Sequence, residues 1–456
     1  MQVQTVETPQ LGDRSYLVHD GTTGVVIDAQ RDLDRMEDQI AQAGVTVAWV
    51  LETHVHNDYV SGGAELARRS GARYAMAAAD GVTVEHQPVA DGDVLDAGDL
   101  RVTVVATPGH TEHHVAYVVE ADGDDPVVFT GGNLLYGTVG RTDLVDPDLT
   151  DRLTHQQYRS ARQLAGRLPD PTEVYPTHGF GSFCSSTPAS EKDTSTLAEE
   201  RSSNEALTTN NEDTFVEQLI AGLTDSYPRY YAHMATINRQ GAPAADLSAP
   251  APVDPATLRA RLKAGEWVID LRDRGVFAAH HLRGSVNFEL SENFSTYLGW
   301  IVPWDAPLTI VADNADQVAD AQRDLARIGI DRDRLTGAAT GPIDALADGA
   351  TPTSFPHLGW EDLRDALADP ATAPIVVDVR RGDEYRKRHI DGAVNMPIHE
   401  LPDHVNDLPD GQLWVHCASG YRAAIGASIL EGSGHDVVHV DDNWPPPDEL
   451  GLPVTR

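Results

Sequence analysis

The chain has 456 residues, of which 41% are hydrophobic, and its formal net charge at pH 7 is −37. A chain of this length exceeds what one hydrophobic core supports, so we expect about two to four domains. The negative charge argues against nucleic acid or an anionic membrane as a partner, because such polyanions repel an acidic protein at long range. No apolar run approaches the ~20 residues that span a bilayer, and the first residues resemble no leader, so we expect a cytoplasmic protein.

Short apolar runs alternate with helical patterns through the first half of the chain. The predicted strands are Val25–Ile27, Val45–Leu51, Val102–Ala106, Val115–Val119, Val127–Phe129 and Val174–Tyr175. The predicted helices are Asp32–Ala43, Ala64–Ser70, Asp151–Leu168 and Thr214–Leu223. This alternation predicts an α/β domain over residues 1–240. Ala and Pro are concentrated between Gln240 and Pro255, which predicts a linker.

The second half of the chain repeats itself. Two motifs recur with the same spacing between the copies: Val268–Arg272 with Val376–Arg380, and His281–Asn287 with His389–Asn395. Chance rarely preserves one spacing for two motifs, so the repeat predicts two copies of a small α/β domain. We place these domains at residues 254–347 and 355–456.

Polar side chains follow several predicted strands of the first domain. His54, His56 and Asp58 come just after the strand that ends at Leu51. Loops at strand ends can bring distant side chains together, and imidazole with carboxylate is a typical ligand set for a transition metal. A solvated polar turn is the alternative for a single His-x-His, but His110 and His178 also follow predicted strands.

These segments resemble a known fold family. The motifs THVHND, TPGHT, TGGN, GRTDL and PTHG are similar to those of the metallo-β-lactamase fold, and GRTDL with HGFGSFC resembles its persulfide dioxygenase branch. The resemblance covers roughly residues 1–231 and implies an αββα sandwich. It also implies an iron held by two histidines and one aspartate, with positions left for dioxygen and a sulfur substrate. His54 and His110 match the two histidines.

Two positions depart from the family pattern. The family's aspartate falls at Gly132, and the histidine expected after Asp58 is Tyr59. The iron site therefore lacks its expected carboxylate. A two-metal hydrolase also needs a second site and a bridging carboxylate to generate hydroxide, and these substitutions remove both.

We expect a single metal despite these departures. Three histidines, or two with one carboxylate, can hold one iron, or alternatively one zinc, with an open position. We place the ion on His54 and His110, with His56 or Asp58 completing the shell and His178 close by. A degenerate domain without metal is the alternative.

The chain contains only two cysteines, so we expect free thiols rather than a disulfide scaffold. Cys417 opens the segment CASGYR, which leads into a helical run. Unpaired N–H groups at the start of that helix, the helix dipole and Arg422 would stabilise a thiolate. With Asp378–Arg380 and HIDGAVNMP, this segment resembles a rhodanese sulfurtransferase. The resemblance implies that Cys417 carries sulfur as a persulfide whose charge Arg422 holds.

The first copy of the repeat has no such thiol. Its strand at Leu308–Val311 runs into the segment ADNA, so we expect this copy to pack between its neighbours or to shape an interface. The remaining cysteine, Cys184, lies in the Gly-rich segment shortly after His178. It is either a sulfur acceptor near the metal or a plain free cysteine, and the sequence leaves both open.

Three functions fit these patterns. The first is iron-dependent oxidation of a low-molecular-weight persulfide, with glutathione, coenzyme A or a similar thiol as carrier, coupled to rhodanese sulfur transfer through Cys417. The second is zinc-dependent hydrolysis of a thioester, as in glyoxalase II. The third is a sulfurtransferase whose front domain only binds a partner. In each case the expected partner is a small thiol, and a homo-oligomer is compatible with the sequence.

Overall fold

The computed structural model describes residues 1–186, 192–224, 226–369, 373–444 and 451–455. The chain folds as two units. The first unit comprises Met1–Leu223, Tyr230–Ala245 and Ala326–Gly329, and the second comprises Thr224–Arg229, Asp246–Leu325 and Ile330–Arg456. The three domain ranges given above stay predictions. Within the described ranges, no helix has both the length and the apolar character needed to cross a bilayer.

Two six-stranded sheets lie in the described part of the first unit. The strands of the first sheet are β1 (Gln2–Thr8), β2 (Asp13–His19), β3 (Thr23–Ile27), β4 (Thr46–Leu51), β5 (Arg73–Ala77) and β6 (Gln87–Val89), side by side in that order. The strands of the second sheet are β7 (Val94–Ala97), β8 (Leu100–Ala106), β9 (Val115–Glu120), β10 (Val127–Gly131), β11 (Glu173–Pro176) and β12 (Ser195–Thr196), also in sequence order. From β3 to β6 the strands run parallel, so their C-terminal ends meet at one edge.

The helices of this unit, within the residues described, are α1 (Asp34–Ala43), α2 (Gly63–Ser70), α3 (Thr150–Arg167), α4 (Leu197–Ser203), α5 (Glu205–Thr208), α6 (Glu212–Gly222) and α7 (Tyr231–Gln240). Every strand and helix predicted for this half is present, with ends shifted by a few residues. Prediction missed the hairpin β1–β2, the short strands β5, β6, β7 and β12, and the helices α4, α5 and α7. The strands β6, β7 and β12 are too short for a pattern to show, whereas β2 and β5 contain the apolar runs Tyr16–Val18 and Tyr74–Ala77, which prediction overlooked.

Successive side chains along the strands of the first sheet point to opposite faces, so they belong to two different hydrophobic cores. Val25 and Ile27 of β3 face a buried cluster between the two sheets. Val26 faces the opposite side, where it packs with Met36 of α1 and Leu66 of α2. This two-residue period is what a strand covered on both faces requires.

The second sheet is built the same way. Val102 and Val104 of β8 join the cluster between the sheets, whereas Val105 packs outward against Leu164 of α3 and Phe215 of α6. Helices therefore cover the outer face of each sheet, and the predicted αββα sandwich is confirmed.

Two further sheets of parallel strands lie in the described part of the second unit. The strands of the first are β13 (Trp267–Asp270), β14 (Val286–Asn287), β15 (Leu308–Ala312) and β16 (Leu335–Thr340), in the order β14-β13-β15-β16. The remaining strands are β17 (His357–Leu358), β18 (Ile375–Asp378), β19 (His389–Ile390), β20 (Val394–Asn395), β21 (Gln412–His416), β22 (Asp436–Val440) and β23 (Val454–Thr455). Five of them form a sheet in the order β17-β22-β21-β18-β20, and β19 pairs with β23. We call these two parts the Cys-less copy (β13–β16) and the Cys417 copy (β17–β23).

The helices around these sheets, again within the described residues, are α8 (Pro255–Ala264), α9 (Arg274–Ala279), α10 (Phe294–Ile301), α11 (Ala315–Arg327), α12 (Ile343–Leu346), α13 (Trp360–Leu367), α14 (Gly382–Lys387), α15 (Leu401–His404) and α16 (Tyr421–Gly432). Single 3-10 turns lie at Pro147–Leu149 in the first unit and Val405–Asp407 in the second. The predicted linker falls between α7 and α8, in a fully described stretch without helix.

The sequence repeat corresponds to repeated contacts. In the Cys-less copy, Arg272 donates to Asp270 through Nε at 2.9 Å and Nη2 at 2.7 Å, and the Asn287 amide donates to both of their carbonyl oxygens. The Cys417 copy repeats these bonds with Asp378, Arg380 and Asn395. Both carboxylates are fully buried, so each depends on its arginine for charge compensation.

Strand register shows what replaces the thiol in the Cys-less copy. Asp270 pairs with Val311, as Asp378 pairs with His416. The residue that follows is Ala312 in the first copy and Cys417 in the second. The Cys-less copy thus keeps the buried ion pair of its counterpart but has a methyl group where the thiol would be.

Candidate metal centre and thiol sites

The predicted ligands come together at one end of the two sheets of the first unit. The loop after β4 carries His54, His56 and Asp58, the loop after β8 carries His110, and the loop after β11 carries His178. All five side chains are buried. The His54 ring centroid lies 4.1 Å from that of His56, 4.9 Å from that of His110 and 5.2 Å from that of His178.

Several nitrogen and oxygen atoms of this group lack a hydrogen-bond partner. Among the described residues, these include His56 Nδ1, Asp58 Oδ1 and His110 Nε2, all of them buried. An unpaired buried polar atom costs about 1–3 kcal/mol, so three in one cluster call for a ligand. Ligand atoms of His54, His56 and His178 lie within 4.8 Å of one another, which suits a common cation. The residues present therefore fit a metal ion.

Two carboxylates orient His56. Its Nε2 lies 3.1 Å from Glu52 Oε2 and 3.3 Å from Asp28 Oδ1. Burial alone would lower the pKa of His56, but the Asp28 and Glu52 carboxylates outweigh it and raise that pKa to about 9. Because Nε2 faces these carboxylates, Nδ1 is the ring nitrogen left for a metal.

A second carboxylate pair orients His178. Its Nδ1 lies 2.8 Å from Asp13 Oδ1 and 3.2 Å from Asp58 Oδ2, and its Nε2 lies 3.3 Å from His54 Nε2. Burial would lower the pKa of His178, but Asp58 and Asp13 raise it well above its usual value. The Nε2 atom of His178 therefore points toward His54, and the Oδ1 atom of Asp58 stays available for another partner.

The structure gives a steric reason for the departure at Gly132. A Cβ atom at this position would lie 2.2 Å from Cδ2 and 2.5 Å from Cγ of His110. The His110 ring thus fills the space that a side chain at residue 132 would enter. The family's aspartate cannot be added here while His110 keeps its position.

The departure at Tyr59 is accommodated by packing. The Tyr59 ring stacks on His56 with centroids 4.3 Å apart, and its hydroxyl lies 3.0 Å from His56 Nε2 and donates to the Asp28 carbonyl at 3.3 Å. A neutral phenol held in this way does not supply the imidazole of a second metal site. Together with Gly132, it leaves the site without the imidazole and the carboxylate that the family pattern has at these two positions.

His114 lies close to the cluster but uses both of its nitrogens. Its Nε2 accepts from the Gly132 amide at 3.0 Å, and its Nδ1 lies 2.8 Å from Thr107 Oγ1. Burial lowers the pKa of His114 well below its usual value, so the ring is neutral. Its contacts are structural.

Sequence reasoning missed the carboxylates that orient the histidines. Asp28 follows β3 directly and Glu52 follows β4 directly, so the strand-end pattern that revealed His54 contained them as well. Asp13 begins β2, and nothing in its local sequence marks it. Its partner, His178, lies far away along the chain.

Cys184 points toward the same cluster. It is fully buried, and its Sγ lies within 4.8 Å of ligand atoms of His110 and His178. Burial raises the pKa of the Cys184 thiol well above its usual value, and the nearby Asp58 and Asp13 carboxylates raise it further. Cys184 is therefore a neutral thiol in the absence of a cation, and its role stays a proposal.

Cys417 lies between β21 and α16 and is 1% exposed. Because α16 begins at Tyr421, the first N–H groups of that helix have no acceptor within it and face the loop. Arg422 donates to both oxygens of Glu384, at 2.6 Å and 2.9 Å. Its charge is thus already shared with a carboxylate, and the predicted role of Arg422 toward a persulfide stays a prediction.

The Cys-less copy contacts this loop. Arg274 Nε donates to Asp441 at 2.9 Å, and its Nη2 donates to the Ser419 carbonyl at 3.4 Å. The Tyr421 hydroxyl donates to the Glu289 carbonyl at 3.3 Å. These contacts agree with the expectation that the Cys-less copy shapes an interface.

His416 gives the Cys417 copy a predictable acid sensitivity. The ring is buried, and burial lowers its pKa to about 4 although the Asp378 carboxylate opposes the shift. An unfolded histidine takes up a proton near pH 6.5, so stability from neutral His416 is present above about pH 6.5 and is lost as the pH falls toward about 4. The free energy of unfolding of the unaltered protein falls between about pH 7 and about pH 4.5. We expect this fall to be about 2 kcal/mol smaller in His416→Gln. Urea denaturation at both pH values measures this, and an unchanged loss contradicts it.

Comparison with known proteins agrees with this geometry. Residues 11–178 match the family model described as the metallo-beta-lactamase superfamily, and residues 360–445 match that of the rhodanese-like domain.

A hydroxyacylglutathione hydrolase from Maricaulis maris is 32% identical over 180 residues, which are 38% of this chain and 64% of the relative. The chain thus spans slightly less than two thirds of that relative's length. A hydroxyacylglutathione hydrolase from Cereibacter sphaeroides is 31% identical over 185 residues, which are 40% of this chain and 68% of the relative.

A solved structure extends the likeness to 75% of the chain. The metallo-beta-lactamase from Staphylococcus aureus subsp. aureus COL aligns with a TM-score of 0.66 and 25% sequence identity, covering 75% of this chain and 99% of its own. The fold implies a metal ion, in agreement with the histidine cluster. The chain belongs to the metallo-beta-lactamase superfamily and carries a rhodanese-like domain toward its C-terminal end.

Proposed function

We propose that the first unit oxidises a small persulfide at a single iron and that Cys417 transfers sulfane sulfur to or from the product. The observation that carries this proposal is a buried thiol, Cys184, beside His110 and His178, in a cluster that lacks the family's imidazole and carboxylate at Tyr59 and Gly132. A buried thiol beside the histidine cluster, in the same chain as a rhodanese-like domain, favours sulfur chemistry over hydrolysis.

The two reactions share their reagents. Oxidation converts RSSH, O₂ and H₂O into RSH, sulfite and two protons, so the outer sulfur loses the four electrons that dioxygen gains. Sulfite can then take the outer sulfur from a Cys417 persulfide, which gives thiosulfate and the Cys417 thiolate. The product of the first site is therefore a substrate of the second.

His54, His56 and His110 would hold the ion, with Asp58 Oδ1 close by. Ferrous iron, when bound, supplies open positions for dioxygen and for the persulfide sulfur. His178 lies between Asp13 and Asp58 and holds a proton at this edge of the pocket. Cys184 adds a neutral thiol beside His110 and His178.

The relatives support a second candidate. Both carry the name hydroxyacylglutathione hydrolase, which suggests a zinc-dependent hydrolysis of a glutathione thioester. The positions of Tyr59 and Gly132 count against it, because two-metal hydrolysis uses a bridged pair of ions. A first unit that only binds a partner is the third outcome.

One experiment separates these outcomes. Protein loaded anaerobically with iron(II) or with zinc is given glutathione persulfide, and oxygen uptake and sulfite are measured. Hydrolysis of S-lactoylglutathione is followed in parallel. We expect the iron form to consume one O₂ for each sulfite formed. Absence of oxygen uptake in fully iron-loaded protein would end the dioxygenase proposal, and hydrolysis by the zinc form would replace it with the second candidate.

A further inference from the structure

Three histidines of the cluster are oriented through the same ring nitrogen. His54 Nδ1 lies 2.9 Å from Thr53 Oγ1, and His110 Nδ1 donates to the Arg141 carbonyl at 2.7 Å. The Nδ1 atom of His178 is held by the carboxylate pair described above. Because Nδ1 has a partner in each ring, Nε2 is the nitrogen left for a metal.

The spacing of these Nε2 atoms suits one ion. His54 Nε2 lies 3.3 Å from His178 Nε2. Two nitrogens that bind one tetrahedral ion at about 2.0–2.1 Å lie about 3.3–3.4 Å apart. His110 Nε2 is buried and has no hydrogen-bond partner among the described residues, and ligand atoms of His110 and His178 lie within 4.8 Å of each other.

Cys184 adds a sulfur atom to this group. Its Sγ lies within 4.8 Å of ligand atoms of both His110 and His178, and the residue is fully buried. The main chain of Arg141 links the thiol segment to His110. Its amide donates to the Cys184 carbonyl at 2.8 Å, and its carbonyl accepts from the His110 ring. The backbone therefore fixes the cysteine and the histidine relative to each other.

A thiolate ligand would compensate for the carboxylate that is missing at Gly132. The His110 ring fills the space that a side chain at residue 132 would need. Asp58, a carboxylate of the cluster, is shared with His178, whose Nδ1 lies 3.2 Å from Asp58 Oδ2. A thiol that binds a metal loses its proton and becomes an anionic ligand, and zinc and iron both accept sulfur. Cys184 can thus supply negative charge from a different loop.

We propose that the Cys184 thiolate is a ligand of the ion bound by His54 and His110, with His178 beside it. When the ion binds, a sulfur–metal bond replaces the S–H bond and the thiol proton is released to water. The inference rests on the metal ion of the proposed function but not on the oxidation of a persulfide.

Cobalt(II) is the probe that tests this ligand. The whole chain is freed of metal with a chelator and titrated with Co²⁺ without oxygen. A thiolate bound to cobalt gives a charge-transfer band in the near ultraviolet that imidazole and carboxylate ligands do not give. We expect the unaltered chain to show this band and Cys184→Ser to lose it at saturating cobalt. Cys417→Ser removes the other cysteine of the chain and, as the matched control, should keep the band.

Zinc affinity gives a second readout. We expect Cys184→Ser to bind zinc at least about 100-fold more weakly in competition with a chromophoric chelator, because loss of a ligand exceeds the effect of losing a residue that orients one. Cys184→Asp supplies a carboxylate in place of the thiolate. It should recover most of the zinc affinity and none of the cobalt band.

A saturated cobalt complex of the unaltered chain without the band overturns the proposal, and so does an equal band in Cys184→Ser. If Cys184→Ser fails to fold, the unaltered chain and Cys417→Ser still decide, since loss of the band in Cys417→Ser would assign the sulfur to the wrong thiol. The measurement needs no turnover. Absence of oxygen uptake therefore leaves the ligand assignment intact, and absence of the band leaves the dioxygenase proposal to its own test.

Discussion

Cys417→Ser is expected to lower transfer of sulfur from thiosulfate to cyanide by at least about 10³-fold. Sulfur transfer requires a thiolate that attacks the outer sulfur of thiosulfate and then carries it as a persulfide. Serine can form neither species at neutral pH. The amides at the start of α16 remain in place, so the variant tests the thiol and not the loop.

Thiocyanate formation measures this reaction, and Cys184→Ser is the matched control. Cys184 is the only other cysteine and belongs to the first unit, so its loss should leave sulfurtransferase activity unchanged. If Cys417→Ser kept its activity while Cys184→Ser lost it, the sulfur would pass through the first unit and the assignment of Cys417 would be wrong.

His110→Ala is expected to reduce the metal content from about one ion per chain to below about a tenth, and oxygen uptake with it. The variant removes an imidazole nitrogen that faces the cluster without a hydrogen-bond partner among the described residues. Loss of a ligand weakens metal binding more than loss of a residue that hydrogen-bonds to a ligand. The second change alone lowers metal affinity about 10–100-fold.

Metal analysis after dialysis against a weak chelator gives the content directly. His113→Ala, which removes an exposed imidazole from the same segment, is the control and should retain its metal. Equal metal content in both variants would mean that His110 is not a ligand. Circular dichroism of each variant is the control for folding.

Sequence patterns predicted the position of the candidate site well, because its ligands follow buried strands. The apolar run Val45–Leu51 marks β4, and everything that follows it up to Asp58 is polar or aromatic apart from Val55. The chain then has to turn at the sheet edge, which brings these side chains beside His110. The αββα layers follow from the same runs, since strands covered on both faces need helices outside them.

What prediction missed depends on packing in three dimensions. The fit of His110 into the space beside Gly132 involves residues from different loops, and sequence shows only that an aspartate is missing. The pairing of Asp13 with His178 joins β2 to the loop after β11. Such contacts leave no local period or spacing to detect.

The direction of Cys184 was also beyond the sequence. Its glycine-rich surroundings fit a surface loop as well as a buried one, because glycine permits both. Only the packed structure places its sulfur against the histidine cluster.

The two copies share a buried ion pair, but a cysteine follows the central strand in only one of them. Asp270 and Arg272 form the same ion pair in a copy without a cysteine, so this pair does not depend on a neighbouring thiol. A search that scored only these two residues and their counterparts would count two sulfurtransferase domains, although a cysteine stands at the end of the central strand in only one of them.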